Sequence, residues 1–457
     1  MSIKRQKVFV GMSGGVDSSV AALLLKRATP NNFEKLFGRP TPEGFRGYDV
    51  TGVYLKCWSQ ARLDELGVAG ECPSEKDAED ARRVANHLGI PFYVFDFEEE
   101  YRQRVVEYLI DGYRRGITPN PDVVCNREIK FGLFMEKALS LGAEYVATGH
   151  YARVRHRASV RGVSGATPKS YPSQKRGAAP SFSLFEAKDK NKDQSYFLWT
   201  LTQKQLAHAL FPVGDLLKSE VRDIARKAGL PTADKKDSQG ICFLGDVALA
   251  DFVARHIPDR PGDVIATNGT KVGEHRGTHL YTIGQRHGLN LGKKTKEKGN
   301  AETPPYYISA IDVEKNVVMV AEGTDNPALF RTEVTLANVN FINGSHSNIL
   351  KNVRMTDLPS DGNDTLQHAN ILQNVSMSVL ARVRYRQPLV RGELVISNTQ
   401  EVTGSSLPIT SDRVVSPRQS RDNYCLLFTA PVKFIAPGQS AVWYSEDGEM
   451  LGGGIIT

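Results

Sequence analysis

The sequence predicts an α/β protein: an N-terminal parallel-sheet domain, then a small central domain and a C-terminal antiparallel β-barrel-like domain. Three observations predict it. Short β-branched runs alternate with helical spacing through the first half, and a glycine turn joins the first strand to the first helix. From about residue 260 the pattern changes to short runs separated by Gly, Asn and Asp, the signature of antiparallel strands. At 457 residues the chain exceeds what one core supports, so two or three domains are expected.

"KVFVGM" (7–12), "YDVTGVYL" (48–55), "IPFYVFDF" (90–97) and "AEYVATGH" (143–150) read as short apolar strands. In "KDAEDARRVANHLG" (76–89), Ala78, Ala81, Val84, Ala85 and Leu88 recur at helical spacing, and Gly89 sits where a C′ glycine belongs. Strand then helix, repeated, means a parallel sheet covered on both faces. Residues 29–47, rich in Gly and Pro, and the basic stretch 156–181 read as surface insertions. One more helix, closed at Gly229 and Pro231, precedes a polar loop carrying Cys242. Runs such as "FRTEVTLANVNFI" and "SMSVLARVRYRQ" then give strands, with 361–374 and 403–423 as polar excursions. The expected domains are 1–233, 234–330 and 331–457.

The formal net charge of +7 permits an acidic partner such as nucleic acid. From Arg153 to Arg176 there are seven Lys/Arg and no Asp/Glu, so this stretch is either a solvated loop or a phosphate-backbone contact. No apolar run approaches 18 residues, so no membrane partner is expected. The start "MSIKRQK" leads straight into the first strand and leaves little room for a leader, so a cytoplasmic setting is expected, with the mitochondrial matrix as alternative. Five cysteines, at 57, 72, 125, 242 and 425, include no CxxC pair. An odd count argues for reduced thiols, and for chemistry over structure at any cysteine that matters. No Cys/His/Asp cluster has metal-ligand spacing, so no structural metal is expected.

A loop that leaves the carboxyl end of a parallel strand and enters a helix offers unpaired N–H groups and the positive end of the helix dipole. In "GMSGGVDSS" (11–19), Gly14 and Gly15 let backbone approach a phosphate, while Ser13, Ser18 and Ser19 add hydroxyls. Neither GxGxxG nor GxxxxGK[ST] is present, and the missing lysine argues against γ-phosphoryl transfer. Asp17 either caps the loop or helps hold Mg²⁺ against phosphate. Further on, "GITPNPDVVCNREIKFGLF" (116–134) carries two prolines around Asn120, which should present Asn120 and Asp122 from a rigid extended turn. Cys125 follows, just before a helix and near Arg127, a setting that favours a thiolate.

The string SGGVDS after an apolar strand resembles the PP-loop ATP pyrophosphatase signature. In order along the chain, "GMSGGVDSS", "TPNPDVVCN", "ATGHYAR", "KDQSYFL", "DSQGICF", "YTIGQRHGL", "RVRYRQ", "PGQSAVWY" and "LGGGII" resemble the tRNA-specific 2-thiouridylase family from residue 11 to 456. The resemblance implies ATP-dependent replacement of O2 by sulfur at the wobble uridine, U34, of the tRNAs for Lys, Glu and Gln. It implies adenylation of O2, a persulfide donor protein (a relay protein or a cysteine desulfurase), Mg²⁺ with the ATP, and a monomer. It assigns Cys125 as nucleophile, Cys242 as persulfide carrier and Asp17 to catalysis. It assigns Gly11, Met12, Ser13, Gly14, Gly15, Val16, Asp17, Ser18, Leu55 and Gly149 to ATP. Asn120, Pro121 and Asp122 would contact the target base. His150, Lys192, Asp193, Gln194, Arg384, Tyr385 and Gln439 would contact tRNA. The competing readings are another PP-loop adenylating enzyme and a catalytically idle tRNA-binding homologue.

Overall fold

The computed structural model describes residues 5–37, 41, 44–67, 70–156, 181–237, 247–291, 305–343, 376–397 and 423–457. Its chain divides into two units, one of Met1–Tyr113, Asn120–Pro258 and Gly448–Met450, the other of Arg114–Pro119, Asp259–Asp447 and Leu451–Thr457. The main division falls at Pro258.

In the first unit, strands β1 (Gln6–Gly11), β2 (Tyr48–Lys56), β3 (Phe92–Asp96) and β4 (Tyr145–Ala147) sit where the apolar runs predict them. With β7 (Ala209–Leu210) they form a parallel sheet of order β3-β2-β1-β4-β7. The helix Val16–Lys26 buries Val20, Ala21 and Leu25 completely, each large apolar side chain contributing about 1.5–3 kcal/mol. The helix Ser74–Leu88 buries Ala81, Val84, Ala85 and Leu88 and ends at Gly89 with φ 58°, the left-handed turn its glycine predicts. Coverage is incomplete at the edge strand β3, where Tyr93 and Val94 are exposed.

Residues 29–47 correct the sequence reading. They are not a surface insertion throughout, because the helix Phe33–Phe37 turns Phe33 and Phe37 inward, where they meet Phe45, Tyr48 and one another in a buried aromatic cluster. Gly and Pro masked that core contribution in the sequence. In sequence the basic stretch lies between two strands, β5 (Ala152–His156) and β6 (Phe182–Glu186), which pair antiparallel from Ala152↔Glu186 to His156↔Phe182. Residues 157–180 between them lie outside the described residues.

The second unit holds the two β modules the sequence predicts. The central one contains β8 (Gly262–Ala266), β9 (Lys271–His275), β10 (Asn290–Leu291), β11 (Tyr306–Asp312) and β12 (Val317–Glu322), in the order β10-β9-β8-β12-β11. It is not wholly antiparallel as expected, since β8 and β12 run parallel. The other contains β13 (Phe330–Phe341), β14 (Met377–Arg382), β15 (Val390–Ser397), β16 (Asn423–Lys433), β17 (Ser440–Tyr444) and β18 (Glu449–Ile456). Their order is β13-β16-β15-β14-β17-β18, and pairing of β13 with β18 closes the barrel around Trp443, Leu336, Leu394 and Leu426. The excursions 361–374 and 403–422 lie outside the described residues.

Candidate active site

In this sheet the chain runs outward from β1 through β2 to β3, then crosses back to β4 on the other side of β1. The order therefore reverses between β1 and β4, the place where open α/β sheets bind ligands at the carboxyl ends of their strands. Gly11 ends β1 there, Leu55 lies at the same end of β2, and Thr148, Gly149 and His150 follow β4. Residues Gly11–Ser18, Leu55 and Gly149, far apart in sequence, thus share one sheet edge.

Gly14 has φ +70°, and a Cβ on it would stand 2.3 Å from the Asp77 carbonyl oxygen, so glycine is required twice over. The Ser13 amide donates to Ser18 Oγ at 3.2 Å, and Ser18 and Ser19 hydroxyls donate to the Gly15 carbonyl at 3.1 and 2.8 Å. These bonds curl the loop onto its own helix. Gly15 is the N-cap and brings no side-chain cap, which leaves the amides of the first helical turn without intrahelical acceptors. Behind them, a Cβ on Gly149 would stand 2.6 Å from the Ser18 nitrogen. Backbone meets backbone at that point, and no other residue fits.

Asp17 is not the cap of this loop. Its Oδ1 accepts from the Tyr151 hydroxyl at 2.7 Å, and its two oxygens accept from Lys218 Nζ at 2.7 and 2.8 Å. Burial and then the Asp17 charge push the Tyr151 phenol far above its ordinary pKa, so it stays a donor. Lys218, at the start of the helix Lys218–Lys227, also meets Asp237 at 2.9 Å. A loop that lacks the P-loop lysine in sequence therefore gains a lysine from 201 positions away. Sequence reading missed it, for nothing in "LLKSEVRD" marks Lys218 except its helix start.

ATP and Mg²⁺ fit this edge. The uncapped first turn, the Gly14 cradle and the hydroxyl of Ser13 would meet phosphate oxygens, and Asp17 is the carboxylate that would hold Mg²⁺. Among the described residues no group of three or more His, Cys, Asp and Glu is gathered as a metal site. Mg²⁺ that arrives with phosphates needs only one or two protein carboxylates.

Asn120 is extended, with φ −113° and ψ 92°, and its Oδ1 accepts from the Val123 amide, capping a helix that starts at Pro121. Here the structure corrects the sequence reading in two ways. Asp122 lies in the first helical turn and not in an extended peptide, and Cys125 lies a turn inside the helical run, as the first residue of the π-helical stretch Cys125–Leu133. Proline at N1 suits a helix start, which is why the helix begins earlier than its apolar spacing suggests. Cys125 is buried, and Arg127 turns outward to Glu128 at 2.7 Å. Burial pushes the Asp122 carboxyl above its usual range, against the opposing pull of Lys130. The neighbouring Asn126 is 2% exposed and donates to the Phe197 carbonyl at 3.2 Å, and sequence reading passed over it.

His150 is buried against Phe131 and Phe211, and its Nδ1 lies 2.7 Å from Thr148 Oγ1. Burial, and then Lys130, hold it well below its ordinary 6.5, so the ring is neutral at working pH. An unfolded chain takes up this proton near pH 6.5 and the folded one does not, so the native state loses stability as pH falls below that value. Thermal unfolding at pH 7 and pH 5 should show a smaller acid-induced fall in Tm for His150→Gln than for the parent.

The "KDQ" residues are internally engaged. Lys192 pairs with Asp237 at 2.7 Å, Asp193 is buried and accepts from Ala187 and Ser195, and Gln194 Oε1 accepts from the Tyr151 amide at 3.0 Å. In the second unit, Arg384 donates to the Ile283 carbonyl at 2.7 Å, and Arg386 lies 5.1 Å from the Tyr385 ring centre. Gln439 Nε2 donates to the Thr118 carbonyl at 3.0 Å, beside Gly438 at φ +88°. Lys235, in the polar stretch that follows Pro231, is tied to Asp77 and Asp80 at 2.7 and 2.6 Å. Cys242 lies outside the described residues.

Comparison with known proteins settles the family. Residues 6–37 and 44–246 match the family described as tRNA methyl transferase HUP domain, 250–322 the tRNA methyl transferase PRC-barrel domain, and 411–456 the aminomethyltransferase beta-barrel domain. The chain is 39% identical over 452 residues to the tRNA-specific 2-thiouridylase MnmA of Bacillus licheniformis, covering 98% of this chain and 94% of that one. The chain belongs to the tRNA-specific 2-thiouridylase family. The MnmA of Nitrosomonas europaea is 38% identical over 454 residues, 99% of each chain, and MnmA 1 of Geobacillus kaustophilus is 39% identical over 454 residues, 99% of this chain and 96% of that one. Although two domain descriptions speak of methyl transfer, the relatives matched from end to end are 2-thiouridylases. As a 2-thiouridylase family member the chain is an enzyme, which sets aside the idle homologue. The HUP, PRC-barrel and β-barrel matches follow the three-part order that the sequence predicts.

Proposed function

We propose that this enzyme uses ATP to replace O2 of the wobble uridine, U34, in the tRNAs for Lys, Glu and Gln with sulfur. The observation that carries the reading is the glycine loop at the point where the sheet order reverses, with its uncapped first helical turn, in a chain that aligns with 2-thiouridylases from end to end. A pyrimidine C2 carbonyl has a very poor leaving oxygen. Attack of O2 on the α-phosphorus expels pyrophosphate and turns that oxygen into part of AMP, a stable leaving group. Mg²⁺, when bound, neutralises charge on the departing phosphates.

Sulfur then arrives as the terminal sulfur of a Cys242 persulfide, which attacks C2 and displaces AMP. The Cys125 thiolate attacks Cys242 Sγ, breaking the sulfur–sulfur bond and forming a Cys125–Cys242 disulfide, while the electron pair stays on the sulfur now attached to C2. A dithiol reductant restores both cysteines, and a persulfide donor protein reloads Cys242. Asn120 and Asp122 at the helix start read the uracil edge, and an unpaired anticodon loop makes extrusion of the base cheap. Lys192, Arg384 and Tyr385 serve the tRNA surface, with cations for phosphate and a ring for stacking. Gln439 joins them through the peptide it holds at Thr118, and the buried Asp193 and His150 shape the surface from beneath. Mass spectrometry of tRNA nucleosides from a strain lacking this gene should find U34 without its 2-thio group; unchanged 2-thiouridine would overturn the reading.

A further inference from the structure

The stretch Thr232–Asp237, which leads in sequence to Cys242, is fastened to the nucleotide loop's surroundings at every turn. Thr232 Oγ1 donates to Ser19 Oγ at 2.9 Å, on the helix that the loop enters. Lys235 bonds Asp77 and Asp80, and Asp77 is the residue whose carbonyl crowds Gly14. Arg222 donates to the carbonyls of Ala233 and Lys235 at 2.9 and 3.0 Å and to Asp237 at 2.8 Å. Asp237 is the hub, with Lys192, Lys218 and Arg222 all within 2.9 Å of its carboxylate. Burial pushes that carboxyl up, but Lys192 and Lys218 outweigh it and hold its pKa at about 2, so it is fully charged.

Lys218 joins the two halves. An ammonium has three protons, and here the contacts are to both Asp17 oxygens and to Asp237 Oδ1. Any cation or phosphate that draws on Asp17 must change what Lys218 gives to Asp237. Coupling of this kind is reciprocal by thermodynamic necessity.

We propose that Lys218 and Asp237 are positioning residues that couple the occupancy of the nucleotide loop to the peptide leading to the sulfur-carrying cysteine. The link runs Asp17–Lys218–Asp237, with Lys192 and Arg222 as its outer partners. Its chemistry suits the reaction, because a persulfide presented before the uridine oxygen is activated would be spent without product. The inference rests on the proposed nucleotide role of the glycine loop.

The test measures two quantities on the full-length enzyme, neither of which needs turnover: affinity for a non-hydrolysable ATP analogue with Mg²⁺, and the alkylation rate of Cys242 with and without that analogue, read by peptide mass spectrometry. In the parent the analogue should change the Cys242 rate at least about fivefold, the lower end of ordinary allosteric coupling. Asp237→Asn, which leaves the Asp17–Lys218 contact in place, should still bind the analogue but respond within about twofold; at saturating analogue Lys218→Met should respond equally weakly, and Lys218→Arg should recover part of the response. A merely structural role would lower both rates together and leave their ratio unchanged. A parent that binds the analogue with no change at Cys242, or variants that keep the full response, would overturn the proposal. Should one variant fail to fold, the response of the other decides. A parent that does not bind the analogue would refute the nucleotide reading itself, a distinct result.

Discussion

Cys125→Ser and Cys242→Ser are each expected to lower 2-thiouridine formation by on the order of 10³-fold or more, the scale on which removal of a nucleophile acts. Binding of an ATP analogue should stay within about twofold of the parent in both. Serine is nearly isosteric with cysteine, and Cys125 is buried in a helical run whose cap is Asn120, so the fold around position 125 should survive the change. What serine lacks is the soft sulfur that can break a sulfur–sulfur bond. The two variants should fail differently. Cys125→Ser should leave tRNA attached through a disulfide to Cys242, because nothing clears the linkage; Cys242→Ser should leave no covalent adduct. Denaturing gels with and without reductant distinguish these outcomes, and identical behaviour would mean that the two thiols do not divide the work.

Gly149→Ala should have the second largest effect. Its Cβ would stand 2.6 Å from the Ser18 nitrogen and 2.8 Å from the Asp17 carbonyl carbon, distances at which backbone must move. Relief can come only by displacing the start of the helix Val16–Lys26, the element whose amides would face phosphate. Overpacking of this kind costs about 1–3 kcal/mol. Affinity for the ATP analogue should fall at least about tenfold, from about 1.4 kcal/mol of that cost, with a lower Tm. A variant that keeps full affinity would mean that the loop after β4 does not abut the nucleotide.

The sequence carried most of the fold because β1 to β4 are each a short apolar run bounded by turn residues, a local signal, whereas the two-residue β7 gives none. The glycine loop was legible for the same reason. What was not legible came from distance. Lys218 reaches Asp17 across 201 positions, and Tyr151 reaches it across 134, with no spacing that could announce either pair. The Phe33–Phe37 helix was hidden because Gly and Pro around it imitate a loop, although its phenylalanines fill the core. The helix containing Cys125 begins earlier than expected because proline at N1 starts helices as well as breaking them, and periodicity alone does not separate the two uses. The parallel pairing of β8 with β12 is a property of topology, for which alternating runs carry no signal.

The central claim is that the uridine oxygen itself becomes bound to the α-phosphorus before sulfur replaces it. A tRNA substrate carrying ¹⁸O at O2 of U34, incubated with ATP, Mg²⁺, a persulfide donor, a dithiol reductant and the enzyme, tests it directly. The account predicts one ¹⁸O in each AMP formed, in step with 2-thiouridine and pyrophosphate. Unlabelled AMP alongside full thiolation, or ADP as the nucleotide product, would contradict it.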